Sequence, residues 1–317
     1  MARDRGELHV YSDAIQSTNE YGAEGVTQFH LITPINRGDF YSDLTLISGM
    51  KNGSANLWPL YLPTLSGDSL RNWLEQSGVS GEVPEIGFIY RGFIREGSEY
   101  PKTVQLIGDL MEGELEFAPG WPPMREVKAR FGLSDRRFYT HAPISQLEGV
   151  ALVNSDVEIN IAEESQLVSS TLLVGELNDI VNLTRYTPAR ASMGESLDGL
   201  IFSGHAEVSF SLDQPIAKQV PADQIYISAR SSLSGIDLKI EPLDLSLDSI
   251  SGLITYDEDG LNSDEISARF WDMPVLGSIK TDESTDIRLN SEVEMQSLRS
   301  WIGDPLMKQL QGGFQFE

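Results

Sequence analysis

The chain has 317 residues, 40% of them hydrophobic and 22% charged, with 23 Lys and Arg against 48 Asp and Glu for a formal net charge of −25. That composition rules out a disordered chain, and its acidity makes nucleic acid or an anionic membrane surface a poor direct partner, since both call for clustered Lys and Arg. No cysteine is present, which removes disulfides, thiolate metal sites and cysteine nucleophiles, and no apolar run approaches the ~18 to 20 residues of a membrane-spanning helix.

From the start of the chain, Met1-Ala-Arg-Asp-Arg-Gly6 lacks the apolar centre of a secretion signal. Lys51-Asn-Gly53 carries turn chemistry between strands. Leu70, Trp73 and Leu74 then share one face at helical spacing, with Asp68 or Ser69 to cap the start and Gly78 to end it. Val79-Ser-Gly81 reads as the opening of a strand and Pro119-Gly120 as a turn, under which Trp121 is expected to pack. Val157, Ile159 and Ile161 alternate with polar residues, as strands with one wet face do. A second short helix is expected around Leu177, Ile180, Val181 and Leu183.

Alternation resumes with Val208, Phe210 and Leu212, then Ile225 and Ile227, then Ile236, Leu238 and Ile240, followed at once by Leu243, Leu245 and Leu247. Ile250-Ser-Gly-Leu-Ile-Thr-Tyr256 leads into Asp257-Glu-Asp-Gly260, which reads as a hairpin turn rather than a calcium loop because the terminal bidentate Glu and full ligand order are missing. Ile266, Ala268 and Phe270 form one more set and Ile287, Leu289 and Val293 another. A third helical stretch holds Leu298, Trp301 and Ile302, and Gln311-Gly-Gly-Phe-Gln-Phe-Glu317 reads as the middle of a strand, which suits a piece of a longer chain.

Internal repetition organises these elements. Ser69-Leu-Arg-Asn-Trp-Leu74 and Ser297-Leu-Arg-Ser-Trp-Ile302 are near copies, with Leu183-Thr-Arg-Tyr-Thr-Pro188 a looser relative. The pattern apolar-x-Gly-x-apolar-x-aromatic occurs at 111–117, 250–256 and 310–316. The helices divide the chain into a β segment over 1–66, helix-plus-strand modules over 67–174 and 175–293, and the start of a third over 294–317.

The four histidines, His9, His30, His141 and His205, are far apart in sequence and lack metal spacing, and His205 is expected to face solvent. There is no Gly-x-Ser-x-Gly, phosphate loop or dinucleotide fingerprint, so no catalytic residue, metal or cofactor is assigned.

Leu57-Trp-Pro-Leu-Tyr-Leu-Pro63, the helix at Leu70 to Leu74, Gly81-Glu-Val83, Gly108 through Phe117, and Pro119-Gly-Trp-Pro-Pro123 together resemble the AsmA-like superfamily of Gram-negative bacteria, and within it the YhdP-type proteins. The likeness extends over roughly residues 40 to 317 and departs at Glu99-Tyr100-Pro101, where a Phe-Pro-Phe-like pattern is expected. It implies an N-terminal anchor in the inner membrane, not present in this sequence, and a location in the periplasm. It further implies a long curved β-sheet rolled into an open groove, and movement of phospholipid between inner and outer membranes. It carries no catalytic residues.

The residues fit that implication on their own terms. A sheet with one apolar face must bury it against another layer or a ligand, and a few short helices cannot cover about twenty strands stacked ~4.8 Å apart over ~95 Å. The expected fold is therefore mostly β, an elongated, curved antiparallel sheet forming an open apolar groove with a few short helices. Acyl chains of phospholipid would lie on Leu106, Leu115, Phe117, Val157, Ile159, Ile161, Val208, Phe210, Leu212, Ile225, Ile227, Ile236, Leu238, Ile240, Leu243, Leu245, Leu247, Ile254, Tyr256, Ile266, Phe270, Ile287 and Leu289. The rival readings are a structural or adhesive β-solenoid with a closed, dry core and a carbohydrate-active β-enzyme with convergent carboxylates.

Overall fold

The structure is a computed structural model. It describes residues 2–4, 6–35, 42–61, 68–94, 102–116, 122–161, 165–183, 199–216, 221, 224–241, 244–270, 273–281, 285–294 and 313–316. The expected helix at Leu298 to Ile302, the Pro119-Gly120 turn and Trp121 lie outside these residues. The fold is mostly β, antiparallel and unclosed, with a few short helices.

The chain divides into two compact units. Unit 1 comprises Met1–Glu148, Leu152–Ser169 and Pro215–Lys218, and unit 2 comprises Gly149–Ala151, Ser170–Gln214 and Gln219–Glu317.

Unit 1 begins with β1 (Ala2–Asp4), β2 (Glu7–Tyr11), β3 (Ile15–Thr18), β4 (Glu24–Pro34) and β5 (Asp43–Ser54). A helical turn at Ala55–Leu57 runs into α1 (Trp58–Tyr61), followed by α2 (Asp68–Ser77). Then come β6 (Ser80–Phe93), β7 (Thr103–Leu115), β8 (Met124–Ser134), β9 (Arg137–Leu147) and most of β10 (Val150–Asn160). β1 pairs with β2, β2 and β3 share one edge of β4, and from β4 to β9 each strand pairs antiparallel with the next.

The remaining elements are β11 (Gln166–Glu176), α3 (Leu177–Leu183), β12 (Leu200–Ser203), β13 (His205–Pro215), β14 (Tyr226–Ile240), β15 (Leu245–Asp257), β16 (Gly260–Phe270), β17 (Met273–Thr281), β18 (Thr285–Glu294) and β19 (Gly313–Phe316). In unit 2, β12 and β13 both pair with β14, and β14 to β19 form a meander.

Two sequence expectations on turns resolve differently. Asp257-Glu-Asp-Gly260 is the hairpin between β15 and β16: Asp257 pairs with Gly260, the Asp259 amide donates to Asp257 Oδ1 at 3.0 Å, and Gly260 holds φ +90°. Lys51-Asn-Gly53, read as a turn, lies inside β5 instead. Asn52 takes φ +56°, a conformation Asn tolerates, and the ladder carries on past it to pair Gly53 with Val83.

Antiparallel partners share a face, so the register sorts side chains into two surfaces. The first is apolar. The second carries ion pairs between facing strands, Lys51 with Glu85 at 3.1 Å, Arg130 with both oxygens of Asp109 at 2.8 and 3.1 Å, and Arg137 with Glu158, together with a hydrogen bond between His141 and Asp156 at 2.8 Å. The doubly hydrogen-bonded Arg130 guanidinium holds the Asp109 carboxyl below its ordinary value, and Arg137 does the same to Glu158.

Alternation would scatter the apolar residues of so long a strand onto both faces if it slipped by one. Slips do occur, and several place three residues against two on the partner strand, as a β-bulge does. Register shifts fall between Leu233 and Ile236 in β14, Asp248 and Ser251 in β15, Ser263 and Ile266 in β16, Leu110 and Gly113 in β7, and Arg125 and Lys128 in β8. Left-handed residues mark several of them: Gly235 at φ +69°, Ser249 at +53°, Glu112 at +51° and Glu126 at +52°. The extra residue returns the next apolar side chain to the apolar face and bends the strand there.

Candidate functional site

In unit 2 the apolar face divides at the bulges. On and beyond them lies a packed core of Leu177, Ala206, Leu233, Ile236, Leu247, Ile250, Ile266, Ala268 and Val275. Helix α3 covers this part because its apolar residues recur three and four apart, burying Leu177, Ile180 and Leu183, while Val181 packs on the same cluster. Ile236 keeps only 1% of its surface exposed. Polar groups freed at the bulges are satisfied locally: Ser263 Oγ donates to Leu253 O at 2.6 Å, and Ser231 Oγ to Glu207 O at 2.8 Å.

The other half of the same strands is less covered. Across it run Phe210 opposite Ala229, Leu212 opposite Ile227, Ala229 opposite Tyr256, Ser231 opposite Ile254, and Ile279 opposite Ile287. Phe210, Ile227, Ile254, Tyr256 and Ile279 are half-buried, and Ile287 is 61% exposed although its register puts it on the apolar face.

Unit 1 repeats the division. Ala55, Val83, Leu110 and Val127 form a packed cluster with Val79, Ile86, Leu115, Met124, Ala129 and Phe131 around it. Farther along the strands, a cross-strand row joins Phe88, Leu106, Leu133 and Phe138, and another joins Phe29, Leu46, Tyr90 and Val104. Most of these side chains are half-buried. Tyr90, 3% exposed, donates its hydroxyl to Phe93 O at 2.7 Å, and burial followed by the Asp43 charge pushes its pKa up.

The sequence-expected groove residues are thus sorted by environment. Val208, Leu212, Ile236, Leu247 and Ile266 are buried, whereas Phe210, Ile227, Leu238, Ile240, Leu245, Ile254, Tyr256 and Phe270 are half-buried on the same face. In unit 1, Leu106 faces Phe88 and Leu133, Leu115 joins the packed cluster beside Met124, and Val157, Ile159 and Ile161 are half-buried. Ile225 is half-buried just ahead of β14, and the Leu289 backbone pairs with Gly277. Phe117 and Leu243 lie outside the described residues.

Among the described residues, no group of three or more His, Cys, Asp and Glu is placed to hold a metal, and no helix is long and apolar enough to cross a membrane. His205 faces solvent with its side chain 61% exposed, 3.9 Å from Glu176. Two histidines that sequence spacing held apart are in contact, however: His9 Nδ1 lies 3.2 Å from His30 Nε2. Only the register of β2 on β4 brings them together, and no short-range pattern signals it.

An antiparallel, unclosed β segment with half-exposed apolar rows beside packed, helix-capped ones defines the class of protein. The chain belongs to the YhdP protein family, whose family model matches residues 2–317. It is 21% identical over 259 residues to the intermembrane phospholipid transporter YhdP of Escherichia coli strain K12, an alignment that covers 80% of this chain and 20% of that protein. The chain therefore spans about a fifth of the length of that curated relative. No solved structure matches it.

Proposed function

We propose that this chain is a segment of a conduit for phospholipid between the two membranes of a Gram-negative envelope, holding acyl chains on the less covered half of its apolar face. One observation carries the reading: Phe210, Ile227, Tyr256 and Ile287 present apolar surface on one face, beside a core on whose edge Ile254 and Ile279 already pack. A soluble protein seldom leaves such a row uncovered without a use for it. The name of the E. coli relative supports the lipid, and family membership supports the setting.

The mechanism is partition rather than catalysis. Each methylene removed from water contributes about 0.8 kcal/mol, while the headgroup remains hydrated at the open side. Because aliphatic and aromatic side chains repeat from strand to strand without a specific polar contact, lipid binds at many registers and slides. The location is the periplasm, with attachment to the inner membrane through parts of the whole protein outside this segment. The modules at 67–174 and 175–293, opened near α2 and α3, are the units by which such a segment lengthens. Native mass spectrometry of protein purified without detergent tests the reading. Phospholipid adducts are expected, and a folded protein repeatedly free of lipid defeats the proposal.

A further inference from the structure

We propose that His9 and His30 form a binding site for a divalent transition-metal ion of the zinc type on the charged face of unit 1. This inference does not depend on the lipid reading. In the β2–β4 ladder His9 pairs with Ile32 and Tyr11 with His30, so the two imidazoles sit diagonally on one face. Their rings stack with centroids 5.4 Å apart at 29°, and the Tyr11 ring meets His30 edge-on at 6.3 Å. His9 Nδ1 and His30 Nε2 are 3.2 Å apart. Two nitrogens bound tetrahedrally to zinc at 2.0 to 2.1 Å stand about 3.3 Å from each other, so the spacing of the pair matches a chelate and small ring rotations would turn both lone pairs to one ion.

Glu7 supplies the second argument. Its carboxylate lies 3.7 Å from His9 Nε2, on the far side of the ring from His30. A small closing movement would let that carboxylate accept the Nε2 proton and so free Nδ1 for a ligand on the His30 side. Carboxylate, imidazole and metal in that order is the arrangement by which outer groups orient metal-binding histidines. Without metal, one ring donates a hydrogen bond to the other. With metal, the His30 ring proton would shift through solvent from Nε2 to Nδ1, so that two neutral imidazoles would offer His9 Nδ1 and His30 Nε2 to the ion. The site has two protein ligands rather than four, so it binds more weakly than a closed structural zinc site. The ion would clip β2 to β4 at the place where β2 ends and β3 takes over the β4 edge.

Zinc sulfate titrated into chelator-treated protein by isothermal calorimetry tests the proposal. The chain has no cysteine, so no thiolate competes for the ion. One saturable site per chain is expected, lost in His9→Ala and in His30→Ala and kept in His141→Ala and His205→Ala. Glu7→Gln is expected to weaken it about tenfold. Amide exchange in β2 is expected to slow on zinc addition in the unaltered chain, a readout that does not depend on a variant folding. No saturable binding to that chain, or binding retained in both His9→Ala and His30→Ala, overturns the site.

Discussion

The two halves of the unit 2 strands share residue types, strands and a face, yet they differ in what covers them. Where the bulges fall, Leu233, Ile236, Ile250 and Ile266 pack in one cluster with Leu177 and Val181 of α3. On the other half, Ile227 and Tyr256 stay half-buried, Ile254 and Ile279 pack at the edge of that core, and Ile287 is exposed. Apolarity alone does not separate core from binding surface. Coverage does, and coverage follows from the bend at each bulge and the helix set over it.

Substitutions on either side of that division sharpen it. Ile236→Ala leaves a cavity in the packed half and is expected to lower unfolding free energy by about 4 kcal/mol in denaturant titrations. A loss under about 1 kcal/mol shows that the bulged half is not the core. Gly252→Ala tests the bend itself. Gly252 holds φ +154°, and a Cβ there lies 2.6 Å from the Glu265 carbonyl oxygen, an unyielding backbone atom. A cost of about 2 to 3 kcal/mol is expected from the same titrations.

Ile287→Asp probes the other half, at a position 61% exposed. Stability is expected to change little there, whereas lipid retention in native mass spectra falls about tenfold, equivalent to about 1.4 kcal/mol. Stability lost with lipid retained reverses the assignment of the two halves. Tyr90→Phe removes a buried hydrogen bond and is expected to cost about 1 kcal/mol at neutral pH. Its raised pKa means that the neutral phenol's contribution is complete below pH ~10 and is lost as pH rises through the folded-state value. The variant is therefore expected to resist alkaline unfolding better than the parent does.

The smallest effect belongs to the charged face. Asp109 is held below its ordinary value by Arg130, so that contribution is present above the unfolded carboxylate pKa and disappears as pH falls through the folded one. Asp109→Asn is expected to flatten the acid limb of the stability curve and barely move its neutral plateau, since exposed pairs contribute little.

Much of the β architecture was legible because alternation is a local signal. The sets at 208–212, 236–240 and 266–270 fall in β13, β14 and β16, and the helical spacing at Leu70, Trp73 and Leu74 falls in α2, with Gly78 past its end at φ +57°. The bulges were also written there, as steps of three inside a period of two: Leu233 to Ile236, Leu247 to Ile250, Leu110 to Gly113. Lys51-Asn-Gly53 carries turn residues inside a strand, since Asn tolerates a left-handed backbone and the β5–β6 ladder continues past it without a register shift.

The sequence by itself determined strands with one apolar face, two short amphipathic helices and an acidic exterior, because side-chain spacing along a chain dictates which face a residue takes. Which part of that face is core, and which histidines meet, was decided by the tertiary structure. Both depend on register between strands and on where a helix settles, and those contacts join residues whose separation along the chain carries no periodic signal.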